Sequence, residues 1–180
     1  MERDFLCADG LDGKLRGHRF RRQHPHQGAS LRSRGKRGAF QHAIGRSRGG
    51  RTTKIHALTD ECGRPVALTL TAGNAHDLEG ARELLAIVPT PRRLIADRAY
   101  DARRLREWLD QRGAEAVIPP NPTRKHPHDY DSQVYKSRNL IERMFCRIKD
   151  FRRVATRYDK LARNFLAGVL IAATAIWWLN

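Results

Sequence analysis

Acidic residues are what this chain has least of where it matters. No Asp or Glu occurs between Gly13 and Thr59, and over 180 residues 19 acids face 35 lysines and arginines, for a net charge of +16. A balance that positive points to a polyanionic partner, nucleic acid first and an anionic membrane surface second. Cysteine is scarce too. Cys7, Cys62 and Cys146 are odd in number and far apart. That excludes a disulfide framework and paired-cysteine metal spacing, and it suits a reducing, cytoplasmic setting. There is one long apolar run, residues 165–179, of 15 residues. A membrane span needs roughly 20, so the run is expected to be a buried helix covering a sheet, with Trp177 and Trp178 in the core or an interface, and no membrane partner is expected. The N-terminus lacks a long apolar stretch, so no export signal is expected.

The acid-free segment is also without periodicity. Arg16, Arg19, Arg21, Arg22, Arg32, Arg34, Lys36 and Arg37 lie among His, Gln, Gly and Ser. Such a composition buries too little apolar surface to offset its ordering entropy, so disorder is expected over residues 1–37. The segment reads either as a phosphate-contacting arm or as an accidental basic tail.

Beyond it the pattern is α/β. Thr52–Thr59 alternates as a strand, residues 60–65 form a turn, and Val66–Thr71 returns as the second strand of a hairpin. Residues 78–88 have helical spacing after an Asp77 N-cap. Arg93–Ala96 is a short buried strand with Asp97 at its C-terminal edge, where α/β sheets place ligand groups. On position alone, Asp97 is as readily a turn or cap residue as a functional one. A helix is expected over residues 101–111 with Asp101 as its cap, then a strand over 116–118. Residues 121–134, with Pro122, Pro127, His126, His128 and Asp129, form a connector whose spacing supports no metal site.

Residues 135–149 (YKSRNLIERMFCRIK) place Tyr135, Arg138, Glu142 and Lys149 at i, i+3, i+7 and i+14, near one helical face. Leu140, Ile141, Met144, Phe145 and Ile148 supply an apolar face beside it. Charge-laced amphipathic helices are common, and by itself this stretch is an ordinary salt-bridged helix.

The spacing Tyr-(2)-Arg-(3)-Glu-(6)-Lys nevertheless resembles the signature around the last catalytic carboxylate of bacterial insertion-sequence DDE transposases, in the IS-five/IS-four superfamily. Three further blocks, 45–60 (GRSRGGRTTKIHALTD), 94–101 (LIADRAYD) and 157–164 (RYDKLARN), extend the resemblance over residues 38–180. It implies an RNase H-like α/β domain, a mixed sheet flanked by helices, whose first strand carries an Asp. Asp97 and Glu142 would be catalytic metal ligands holding two Mg²⁺ or Mn²⁺ ions about 4 Å apart. Arg138 and Lys149 would position DNA and Tyr135 would support their helix. Arg46, Arg48, Arg51 and Lys54 would contact phosphates. The activity implied is strand cleavage and strand transfer on insertion-sequence ends and target DNA, in an oligomeric complex at the bacterial nucleoid.

The block bearing the first Asp is missing from this frame, so the first strand is expected to be absent or damaged. Asp9 and Asp12 lack its flanking residues. Codons exist for His18–Arg37 that, read one base over, spell an Asp-Ser block resembling the missing one. The expectation is therefore a chain inactive alone and completed by an upstream frame through frameshifting, or else a non-catalytic DNA-binding remnant that inhibits the complete enzyme.

Overall fold

The computed structural model describes residues 4–9, 42–47 and 50–179, the first of these by its backbone path. The expected mixed α/β architecture is present. Strands β1 (Asp4–Asp9), β2 (Gly45–Ser47), β3 (Gly50–Thr59), β4 (Pro65–Ala72), β5 (Arg93–Ala96) and β6 (Glu115–Val117) form a sheet. Its main path is β4, β3, β1, β5, β6, with β2 hooked onto the start of β3. β3 runs antiparallel to both of its neighbours, β4 and β1, whereas β1, β5 and β6 run parallel.

β1 corrects two expectations. Residues 4–9 are a strand, and the position between β3 and β5 is filled. The physical reason is local. Phe5–Ala8 is an apolar run that meets hydrogen-bonding groups on both sides, and an average over a basic segment conceals it. Residues 10–41, including Asp12 and nearly all of the stretch suspected of lying out of frame, are outside the described residues.

Side-chain alternation along the strands divides the core in two. On one face Ile55, Ala57, Ile95 and Val117 pack with Ile141, Met144, Phe145 and Ile148 of helix α4 (Asn139–Lys149) and with Phe165, Val169 and Ala172 of helix α6 (Ala162–Trp177). On the other, Leu58, Leu94, Ala96 and Ile118 meet Ala81, Leu84 and Leu85 of helix α1 (Asp77–Ile87) and Leu105 and Leu109 of helix α2 (Arg103–Asp110). Two short helices, α3 (Ser132–Tyr135) and α5 (Arg152–Ala155), flank α4. Asp77 is not the cap of α1; the His76 ring nitrogen receives the Leu78 amide instead. α6 lies on the sheet as expected, and no helix among the described residues is long and apolar enough to cross a membrane.

One buried polar group sits in the second layer. His56 of β3 is fully buried, with Nε2 2.7 Å from the Thr71 hydroxyl. Gly80 of α1 lies against the ring, and a Cβ there would come within 2.3 Å of it. Burial pushes the His56 pKa down from 6.5 to about 4, with Asp77 opposing and Lys54 assisting. The unfolded chain therefore takes up a proton below pH 6.5 that the folded chain refuses. Stability is complete above pH 6.5 and is expected to fall by roughly 3 kcal/mol as pH drops towards 4. Urea denaturation at pH 7.5, 5.5 and 4.5 measures this, and the His56→Gln variant should lose that part of the pH dependence.

Candidate active site

Asp97 follows the last residue of β5 and leaves the sheet at its C-terminal edge. Its carboxylate accepts the Ala99 amide at 2.8 Å and so caps a 3-10 turn, Arg98–Tyr100. The capping role considered from sequence is thus real. It occupies Oδ1 and leaves Oδ2 turned to Arg138, 3.8 Å away. Arg138 also donates to Glu142 Oε1 at 2.8 Å. One guanidinium therefore stands between the two carboxylates predicted to work together.

The stretch that carries them is not a single helix. α3 ends at Tyr135, a 3-10 turn spans Lys136–Arg138, and α4 begins at Asn139. In a 3-10 turn residues three apart eclipse one another, which keeps Arg138 close to Tyr135. The Tyr135 ring packs edge-on to Tyr130 with centroids 5.6 Å apart. Burial raises its hydroxyl pKa, opposed by Arg138 and assisted by Asp97. Tyr135, Arg138, Asp97 and Glu142 thus come together, while exposed Lys149 lies seven residues on, about two turns further along α4.

Asp101 is not the cap of α2, which is Ala102. The Asp101 side chain is fully buried and receives Arg106 Nε, Arg124 Nε and the Asn121 amide, each at 2.7 Å. Burial alone would raise its pKa. The bonds from Arg124, Asn121 and Arg106 outweigh that and hold it at about 2, against an ordinary 3.8. The same Arg106 donates to the Ile118 carbonyl at 2.7 Å. The proline-rich connector is therefore fastened at its start to the segment that follows Asp97. Nothing in the spacing of Asp101 and Arg124 announces this, because the pairing crosses two elements.

Of the expected phosphate contacts, Arg46 and Arg51 are exposed and stand opposite one another across the β2–β3 hairpin. Lys54 is instead engaged by the Asp77 carboxylate and the Ala75 carbonyl. Arg48 is outside the described residues.

The backbone register bears on the first carboxylate. β1 pairs in parallel with β5 up to Cys7 with Ala96, so one step further residue 8 comes level with Asp97. Across the other edge Ala8 pairs with Ala57, on the α4 face, and Asp9 pairs with His56, on the α1 face. Among the described residues no three His, Cys, Asp or Glu side chains converge as a metal site. Two carboxylates with a guanidinium between them do not fit a pair of divalent ions, which need clustered oxygen ligands.

Comparison with known proteins gives the family. The family model for transposase DDE domains matches residues 4–178, beginning with the first residue of β1. A Brucella ovis protein named as a transposase for insertion sequence element IS6501 is 38% identical over 127 residues, covering 70% of this chain and 98% of the relative. A Burkholderia cepacia protein named as a transposase for insertion sequence element IS402 is 31% identical over 137 residues, and this chain spans 63% of its length. The solved Mos1 strand transfer complex matches at 14% identity and a TM-score of 0.29, covering 96% of this chain and 51% of that one, a likeness too low to carry an argument. On the family match and the two relatives, this chain belongs to the transposase DDE domain family.

Proposed function

We propose that this chain is the catalytic portion of an insertion-sequence transposase, of RNase H-like design, and that as it stands it binds DNA without cutting it. The observation that carries the reading is the convergence of Asp97 and Glu142, from different elements, on Arg138. The sheet supports the RNase H-like part, with its first strand between an antiparallel and a parallel neighbour. Enzymes of this family use divalent metal ions, and here Asp97 and Glu142 are the residues that would ligate them. With alanine at position 8 and arginine between the carboxylates, the present residues do not complete that set, so no reaction step follows for the isolated chain.

DNA binding is assigned to the basic surface, with Arg46, Arg51 and Lys149 on phosphates. Its affinity should fall steeply with salt, because each neutralised phosphate contributes about 0.9 to the slope of log K against log salt. The double variant Arg46→Ala, Arg51→Ala is expected to lower that slope by about 2, measured by fluorescence anisotropy on duplex DNA.

The deciding experiment sets the chain beside a product fused to the upstream frame, on DNA carrying the element's ends with Mg²⁺. The chain alone should bind and leave the DNA intact. The fused product should nick it, and lose nicking on Asp97→Asn or Glu142→Gln. Asp97-dependent cleavage by the isolated chain would sink the incompleteness reading. A second reading, a non-catalytic remnant that inhibits the complete enzyme, is favoured by the closed Asp97–Arg138–Glu142 arrangement. It predicts that adding this chain in excess suppresses nicking by the fused product.

A further inference from the structure

We propose that the free edge of β4 and the outer flank of α6 form one surface, and that it pairs with the same surface of a second copy of this chain, joining two sheets into one. The inference is independent of the reading of Asp97 and Glu142.

The strand edge is half of the surface. Among the described residues β4 pairs with β3 alone. The Gly73 amide donates to the Thr52 carbonyl at 3.1 Å, which makes 52 and 73 a hydrogen-bonded pair. Such pairs alternate with non-bonded ones in an antiparallel ladder, so Ala67, Thr69 and Thr71 turn their backbone groups to β3. Leu68 and Leu70, opposite Ala57 and Ile55, turn theirs outward, and among the described residues nothing pairs with their amides. Edge strands are ordinarily blunted by charge, proline or a bulge. Pro65 and a shift of register guard the start of β4, but from there to Ala72 the strand carries no charged residue.

α6 overhangs this edge. α4 packs over β1 and β3, and α6 packs over β4. Arg147 of α4 lies on the Trp177 ring, so α4 flanks α6 on that side. Gly168, nine residues earlier, is on the opposite side of the helix. A Cβ there would meet no atom of the described residues within 4 Å. Ile171 and Trp178 lie on the arc between the two flanks, 68% and 61% exposed. No charged residue occurs over 165–179.

That lack of charge selects the occupant. DNA brings phosphates, and the face itself offers them no cation. Residues 10–41 are rich in arginine, and against an uncharged face guanidinium groups lose water and gain no partner. Two copies of a chain with a net charge of +16 repel each other over most of their surfaces. Here they meet without opposing like charges, and Arg64 at the rim is already answered by Asp60. Antiparallel strands about a two-fold axis are self-complementary, so the outward groups of Leu68 and Leu70 are satisfied on both copies at once. The two α6 helices then run side by side on one face of the joined sheet. Gly168 on the facing flank lets them approach to the spacing of packed helices, about 8–10 Å.

The test is sedimentation of the full chain at about 50 µM in about 0.5 M NaCl, which releases carried DNA and screens surface charge. A dimer is expected. Ile171→Glu puts a charge into the contact and should raise the dissociation constant at least about tenfold. Amide exchange read at single residues needs no variant. Leu68 and Leu70 should exchange rapidly in dilute chain and at least about tenfold more slowly at the dimer concentration, with Thr69 slow at both. A monomer under these conditions would overturn the proposal. So would a dimer that Ile171→Glu leaves intact, or one in which Leu68 and Leu70 stay fast. Protection of Leu68 and Leu70 at every concentration would assign the edge to another segment of the same chain, and a monomer that sediments with phosphatidylglycerol vesicles would assign the face to lipid; either result also overturns it. If Ile171→Glu fails to fold by circular dichroism, the concentration dependence of exchange in the natural chain decides alone.

Discussion

Replacing Arg157 with methionine is expected to destabilise the fold by about 3–5 kcal/mol, enough to unfold a marginal domain near physiological temperature. Arg157 is 1% exposed. Its guanidinium donates to the carbonyls of His42 at 2.7 Å, Asp159 at 2.8 Å and Lys160 at 3.1 Å, and also to the Thr53 hydroxyl. It lies over the Phe165 ring, 4.9 Å from the centroid. Among the described residues it forms no ion pair, and burial lowers its pKa, partly offset by Asp159. Its role is to satisfy backbone acceptors where the segment before β2, strand β3 and the turn into α6 meet. Methionine has similar bulk but leaves those acceptors without a donor. Lysine keeps the charge but presents a point donor in place of a planar fork, so Arg157→Lys should recover less than half of the loss. Urea midpoints of the three proteins measure this, and a methionine variant within about 1 kcal/mol of the natural chain would show that solvent replaces the donors.

Asp101→Ala should cost a similar amount, about 3–5 kcal/mol, because it strands two half-buried arginines and an amide that share one carboxylate. The effect should also be local. Without the Asp101 carboxylate, Asn121 and Arg124 lose the tie they share with Arg106 of α2, so amide exchange should quicken over residues 119–131 before it does in β3 or α6. Asp101→Asn keeps the shape but loses the charge, and should fall between. pH dependence gives an independent reading. A carboxyl held at about 2 contributes stability that is complete above about pH 4 and is lost as pH falls through 2. In Asp101→Asn that acid-side loss should be smaller. Uniform exchange across the sheet in the alanine variant would mean the clamp supports the whole fold and not the connector.

Much of the candidate site's local geometry is legible in the sequence. Asp97 at a strand end, and Arg138 and Glu142 one turn apart, follow from short-range spacing, and the fold keeps those spacings. What escapes is whatever depends on pairing across the chain. Arg157 is one of 35 basic residues, and no local pattern tells a buried arginine from a solvated one. Asp101 looks like a helix cap because it precedes a helix, yet its partners include Arg124, in a loop with no periodicity. β1 escapes because the four apolar residues 5–8 vanish in the composition of a basic segment. Lys54 looks like a phosphate ligand until Asp77, 23 residues later, is seen to claim it.

The placement of β1 bears on how the sheet is made. Its two neighbours are β3, around residue 55, and β5, around residue 95. During synthesis β1 leaves the ribosome before the other strands, but the one on its parallel side does not exist until some ninety residues have followed. The β3–β4 hairpin, joined by a short turn, can close on its own long before. The oldest strand of the sheet thus waits on one side until β5 is made. Until then the edge that awaits β5 is open, and any extended strand can compete for it. The strand at the centre of the sheet therefore spends the longest part of synthesis with only one of its two partners.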